Sequence, residues 1–279
     1  MRLFRKRESL TPEKRRKMRN RRIAAYGTLV AAIVGFYFYQ PQRINFSPER
    51  LEGPNPPVDP DSAKLFSKGT KVALIQAHPD DSEFYLAPLL LRLARSGAEI
   101  HQLVMTDGDK SFYFWAKQDK TLRKVREAEQ QAAASRYAKE LIFLHRPDGR
   151  LGGQPDNAEQ VKAFIQRVHP DYVLAFDPEY WPRISHSDHL AAGRAALEAI
   201  DSDPDGVQWL LLYNTSAPNF IPDVTNTVDK GQDMIDIHKS QFSGEKLARI
   251  RNMILNNWYE AGQRAGGGYG VALRAVKVK

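Results

Sequence analysis

Two short clusters of imidazole and carboxylate carry the chemistry this chain can perform: Ala77-His78-Pro79-Asp80-Asp81-Ser82-Glu83 and His186-Ser187-Asp188-His189. A catalytic zinc typically takes three ligands from His and carboxylate and leaves a fourth position for water. His78 and Asp81 stand three apart in a Pro-containing turn, so both can reach one ion, and His189 completes a set of two imidazoles and one carboxylate. Asp80 lies between the first two and points differently, free to act as a base. A metal held there would lower the pKa of its bound water to about 7 and polarise a substrate carbonyl. Asp80 would take the proton of that water and pass it to a leaving amine. His186, close to Asp188, would be oriented and kept protonated by that carboxylate. It would then stabilise a tetrahedral oxyanion, an effect commonly worth about 2.7–4 kcal/mol. Together the clusters imply a mononuclear metal hydrolase. His101, His145 and His169 stand alone and read as structural.

The elements that must position these residues follow from hydrophobic periodicity. Lys71 to Gln76 is a short apolar run that ends in the His78 turn, as a buried parallel strand does at its carboxyl end. Residues 83–96 have helical spacing and close on Gly97, a C-cap signal. Strands are expected at 99–106, 141–144, 172–176 and 208–213, with helices at 117–137, 158–168 and 187–200 between them. This alternation predicts a three-layer α/β sandwich with a mostly parallel sheet. Acidic residues recur at the predicted strand ends (Asp80 and Asp81, Asp107 and Asp109, Asp148, Asp177), which would share one rim. Each Asp beside Gly or Pro is also an ordinary turn former.

Net charge is +8, but residues 1–22 hold eight Arg and three Lys against two Glu, a net of +9, which leaves −1 for the rest. The body therefore lacks the basic surface of a nucleic-acid binder. No cysteine is present, which removes disulfides and thiolate-bound zinc. The chain divides by composition into a basic tail (1–22), an uncharged apolar segment (23–39), a Pro-rich linker (40–70) and a catalytic body (71–279). Residues 23–39 sit at the short end of what crosses a bilayer core of about 30 Å, and they finish in Phe36-Tyr37-Phe38-Tyr39, a cluster suited to a membrane interface. The expected topology is a single-pass signal anchor with a cytoplasmic N-terminus and the body on the outer, extracytoplasmic side. Nothing in the sequence fixes an oligomeric state.

The two clusters together resemble the PIG-L/LmbE-type family of zinc-dependent N-acetylglucosaminyl deacetylases. The likeness extends to Thr106-Asp107-Gly108, Arg126-Glu127-Ala128-Glu129 with Ala132-Ala133, Pro147-Asp148-Gly149 and His238-Lys239-Ser240-Gln241, over roughly residues 71–242. It departs at Tyr137-Ala138, where the family often has Leu-Gly. The resemblance implies a Rossmann-like fold and removal of an acetyl group from an N-acetylated amino sugar or glycoconjugate. It implies Zn²⁺, with Fe²⁺ as an alternative, on His78, Asp81 and His189. Asp80 would be the base and His186 the oxyanion partner oriented by Asp188. Arg126, Asp107, Asp148 and His238 would contact substrate. Phe112-Tyr113-Phe114-Trp115 is either a packed loop or a stacking platform for a sugar ring, and Trp181 invites the same reading. The competing readings are a metal hydrolase of another amide or ester, and a catalytically silent sugar-binding module on the same fold.

Overall fold

The computed structural model describes residues 57–110, 118–181 and 186–278. The anchor segment, the basic tail and the Phe112–Trp115 cluster lie outside the described residues. Among the described residues, no helix is long and apolar enough to cross a membrane.

The chain runs α1 (Ser62–Leu65), β1 (Lys71–Gln76), α2 (Asp81–Ser96), β2 (Glu99–Thr106), α3 (Lys120–Ala134), β3 (Ala138–Arg146), α4 (Asn157–Val168), β4 (Tyr172–Phe176), α5 (Ser187–Ser202), β5 (Trp209–Tyr213), α6 (Val228–Ile235), α7 (Gly244–Arg264) and β6 (Leu273–Lys277). The sheet order is β3-β2-β1-β4-β5-β6, parallel throughout except that β6 pairs antiparallel with β5. The mostly parallel α/β sheet expected from the sequence is therefore present. β1, β2 and β4 keep their expected bounds. β3 is longer than expected because Tyr137 closes the turn after α3, and Ala138 already pairs with Ile100.

Two features of this topology place the site. β1 and β4 lie side by side, yet the chain passes through β2 and β3 between them. Their carboxyl ends flank the topological switch point, where open α/β sheets bind ligands. Right-handed crossovers put α2 and α3 on one face and α4 and α5 on the other. The central strands are buried from both sides, with Val72 to Gln76 and all of β4 at about 1% exposure or less, so their ends are firmly held.

The described part of the expected linker is packed structure. Leu65 is fully buried, the Tyr172 hydroxyl donates to the Pro60 and Asp61 carbonyls, and Lys64 pairs with Asp171 at 2.8 Å. Residues from about Val58 onward therefore belong to the body, held by the buried Leu65 together with these polar contacts and the Val58 N–H bond to the Asn219 carbonyl.

Asp177, at the end of β4, is not a free rim carboxylate. It accepts two bonds from Arg274 of β6 (2.7 and 2.9 Å), one from Thr215 and two backbone N–H bonds, all while buried. Burial opposes its ionisation, but the Arg274 bonds outweigh it and hold the carboxyl below the usual range. Such a pair contributes stability in full above the unfolded pKa of about 3.9 and loses it as pH falls through the depressed folded value. We expect Arg274→Met to cost about 3–5 kcal/mol near neutral pH by leaving a buried charge unpaired. The deficit against wild type should shrink below about pH 4 as Asp177 protonates, measured by denaturant unfolding across pH.

Candidate metal centre at the switch point

β1 delivers Ala77-His78-Pro79-Asp80-Asp81 at the sheet rim, and Asp81 opens α2. Asp80 takes φ 97° and ψ −20°, a left-handed backbone that is rare for a residue with a side chain. Such a conformation costs about 1–3 kcal/mol and persists only where the surroundings hold it. The two adjacent carboxylates meet different partners. Asp81 turns inward, where its Oδ2 accepts the backbone N–H groups of Ala77 (3.1 Å) and His78 (2.7 Å). Asp80 turns to α3, where its Oδ1 lies 3.1 Å from the Arg126 guanidinium.

α5 brings the second cluster over β4. Gly193 lies so close to the end of β4 that a Cβ there would meet the Phe176 carbonyl at 2.4 Å. This approach sets His189, one turn earlier, in a parallel stack on the Phe176 ring at 4.1 Å. The His189 Nε2 lies 3.1 Å from Asp81 Oδ1, and His78 Nδ1 lies 3.5 Å from Asp81 Oδ2. His78, Asp81 and His189 offer donor atoms that all fall within 4.8 Å of one another.

This donor set fits a divalent metal. Ligands about 2 Å from a tetrahedral ion stand about 3.3 Å apart, close to the 3.1 and 3.5 Å seen here. The electrostatics point the same way. Burial disfavours a charged imidazole at His78, but Asp81, Asp148 and Asp188 outweigh it and raise its pKa well above the ordinary value. Burial also opposes ionisation of Asp81, yet His189 and His78 hold its carboxyl well below the usual range. The pocket is arranged for positive charge at its centre.

Several expected roles change once the neighbours are known. Asp188 does not orient His186. Its carboxylate accepts the N–H groups of Gly149 (2.6 Å) and Leu151 (3.1 Å) and lies 3.5 Å from His78 Nε2. Asp148 faces the same nitrogen at 3.3 Å. Both stand on the far side of the His78 ring, where carboxylates commonly stand behind a metal-bound His. His186 caps α5 instead, its Nδ1 accepting from the Asp188 N–H at 3.2 Å. It is exposed at the rim, its ring 4.7 Å from that of His78. Packing against protein, together with the facing His78 and His189, pushes its pKa below the ordinary value. These neighbours disfavour the protonated His186 expected from the sequence, and with Nδ1 accepting from Asp188 the free ring nitrogen is Nε2.

The four residues expected to contact substrate are buried and bonded within the protein. Arg126 is 5% exposed and donates to the Gly108 (2.9 Å) and Pro79 (2.5 Å) carbonyls besides pairing with Asp80. Gly108 permits this, since a Cβ at its φ of +58° would meet the guanidinium at 2.7 Å. Asp107 is held by His145 (2.7 Å) and Arg123 (3.1 Å). His238 is 1% exposed, bonded through Nε2 to Glu83 at 3.0 Å, and too deep to touch a ligand. Gln130 escaped the sequence reading, because a glutamine within a charged, Ala-rich helix carries no signal. The structure buries it fully against Asp80.

Residues 73–200 match the family model described as PIG-L, GlcNAc-PI de-N-acetylase. The resemblance read from the motifs therefore holds over this stretch. A diacetylchitobiose deacetylase of Thermococcus kodakarensis is 26% identical over 194 residues, covering 63% of this chain and 72% of the relative. Among solved structures, the inhibitor-bound N,N′-diacetylchitobiose deacetylase of Pyrococcus horikoshii superposes with a TM-score of 0.70 at 25% identity, covering 76% of this chain and 86% of that one. GalB, a 4-carboxy-2-hydroxymuconate hydratase of Pseudomonas putida, shares the fold with a TM-score of 0.62 at 20% identity, covering 74% and 96%. The last likeness shows that this architecture alone does not fix a reaction.

A second set of donor atoms, His78, Asp148 and His186, also falls within 4.8 Å. Metal content by elemental mass spectrometry separates the two sets. We expect about one zinc per chain in wild type and in His186→Ala, and loss of the metal in His189→Ala. The reverse pattern would place the ion on the second set.

Proposed function

We propose that this chain is a zinc-dependent hydrolase that removes the N-acetyl group from an N-acetylated amino sugar or glycoconjugate. The observation that carries the proposal is the convergence of His78, Asp81 and His189 at the switch point, with the Asp80 carboxylate beside them and aimed elsewhere. The relatives named above as diacetylchitobiose deacetylases supply the substrate class. When bound, zinc (or Fe²⁺, which the same nitrogen and oxygen donors accept) polarises the amide carbonyl and acidifies a water.

The chain's own residues then have distinct tasks. Asp80 takes a proton from the attacking water as its oxygen adds to the acetyl carbon. Burial raises the Asp80 pKa against the pull of Arg126, and the Asp81 carboxylate adds to the rise, so this base is stronger than an ordinary aspartate. His186, whose Nδ1 is engaged by the Asp188 N–H, presents Nε2 to donate a hydrogen bond to the developing oxyanion. Asp80 returns the proton to the amine nitrogen as the C–N bond breaks, giving acetate and a free amino sugar. Arg126 keeps the Asp80 carboxylate in place through both transfers.

The membrane anchor belongs to the same proposal. It rests on the uncharged residues 23–39, the +9 tail ahead of them and the positive-inside rule, which put the catalytic body on the outer face. A substrate there would be an envelope polysaccharide or a lipid-linked glycan. The test uses membranes from cells expressing the full chain, with acetate release from N,N′-diacetylchitobiose as readout. Activity should sediment with carbonate-washed membranes and vanish on chelation. Asp80→Asn should lower kcat by about 10²–10⁴-fold while keeping its metal. Undiminished turnover in Asp80→Asn would overturn the mechanism, and activity in the soluble fraction would overturn the anchor.

A further inference from the structure

The backbone at Asp80 is strained, and its own turn does not explain what holds it. Asp80 caps α2 without any side-chain cap bond, and its φ of 97° lies where few side-chain-bearing residues rest. Its N–H is part-buried and turned towards α3. A buried N–H in such a place needs an acceptor.

That acceptor is Gln130 Oε1, 2.8 Å away and 50 residues along the chain. The amide orientation of a glutamine is ordinarily ambiguous; here the backbone donor requires oxygen to face it. The same oxygen accepts from Gln76 Nε2 at 3.3 Å, tying the clamp to the end of β1. The amide nitrogen of Gln130 turns the other way, towards the hydroxyl of Ser82 at 3.3 Å and that of Tyr137 at 3.4 Å. Gln130 is therefore fully committed, fully buried and unable to reach a substrate.

Gln130 stands four residues after Arg126 on α3, so the two side chains share one helix face. One grips the Asp80 carboxylate at 3.1 Å and the other its main-chain N–H at 2.8 Å. Fixing a residue at both its backbone and its side chain leaves one direction for the carboxylate. We infer that Gln130 is a positioning residue for the general base, holding Asp80 in the left-handed conformation in which its carboxylate meets Arg126. The inference rests on the role of Asp80 proposed above. It goes beyond that role by naming a residue that never meets substrate yet sets turnover.

A double-mutant cycle tests it, with acetate release from N,N′-diacetylchitobiose and with zinc content and melting temperature measured for each protein. Gln130→Met keeps the length of the side chain and removes the acceptor. It should retain one zinc per chain, lower kcat about 10–100-fold and leave KM within about threefold, since misplacement of a catalytic group by about 1 Å can cost 10²-fold. In the Asp80→Asn background the same substitution should cost less than about twofold, because residues acting as a unit are not additive. An equal loss in both backgrounds, a loss confined to KM, or an unchanged kcat would overturn the inference while leaving Asp80 as the base. An Asp80→Asn enzyme of full activity would instead overturn the role of Asp80, and this inference with it. If Gln130→Met does not fold, Gln130→Glu serves, since it keeps an oxygen facing the Asp80 N–H. Turnover within about tenfold of wild type supports the clamp, and turnover as low as that of Asp80→Asn, with zinc bound, contradicts it.

Discussion

Two carboxylates on neighbouring residues repel one another, and here each meets a different set of partners. The site depends on their separation. Asp80 adopts a left-handed backbone, so Asp81 turns into the sheet rim while Asp80 turns to α3. Asp81 can then serve as a ligand, caught between two imidazoles and two backbone N–H groups, without being drawn away by Arg126. Asp80 can serve as a base, paired to Arg126 yet raised in pKa by burial and by its neighbour. Strain of about 1–3 kcal/mol is the cost of giving adjacent residues different chemistry.

The remaining rim residues serve that separation. Asp148 and Asp188 stand behind His78, and Gly193 lets α5 approach until His189 stacks on Phe176. Asp177 occupies the same rim but faces Arg274, and its charge is spent within the fold. The difference between a catalytic and a structural carboxylate on one sheet edge is therefore its partner, which depends on side-chain direction. Position along the chain does not reveal it.

This explains what was legible in the sequence and what was not. The parallel core could be read because buried strands leave short apolar runs with sharp ends; β1, β2 and β4 stand where the pattern puts them. The clustering of His78, Asp81 and His189 could be read because His-Pro-Asp-Asp and His-x-Asp-His are compact, and the structure brings their members together. α6, α7 and β6 were not anticipated, since an antiparallel edge strand such as Leu273–Lys277 is short and gains its place from pairing with β5. Arg126, Asp107, Asp148 and His238 were expected as substrate contacts from the family resemblance; the structure buries all four and bonds each to other parts of the protein. The clamp by Gln130 depends on a hydrogen bond across 50 residues, which no local pattern announces.

The central claim is that one divalent ion sits between His78, Asp81 and His189 with Asp80 beside it. Anomalous diffraction at the zinc edge, from crystals of the zinc-loaded protein, tests this most directly. The account predicts one strong peak within bonding distance of these three side chains, with Asp80 close by but not a ligand. A peak bound by Asp148 and His186, or no peak at full zinc loading, would contradict it.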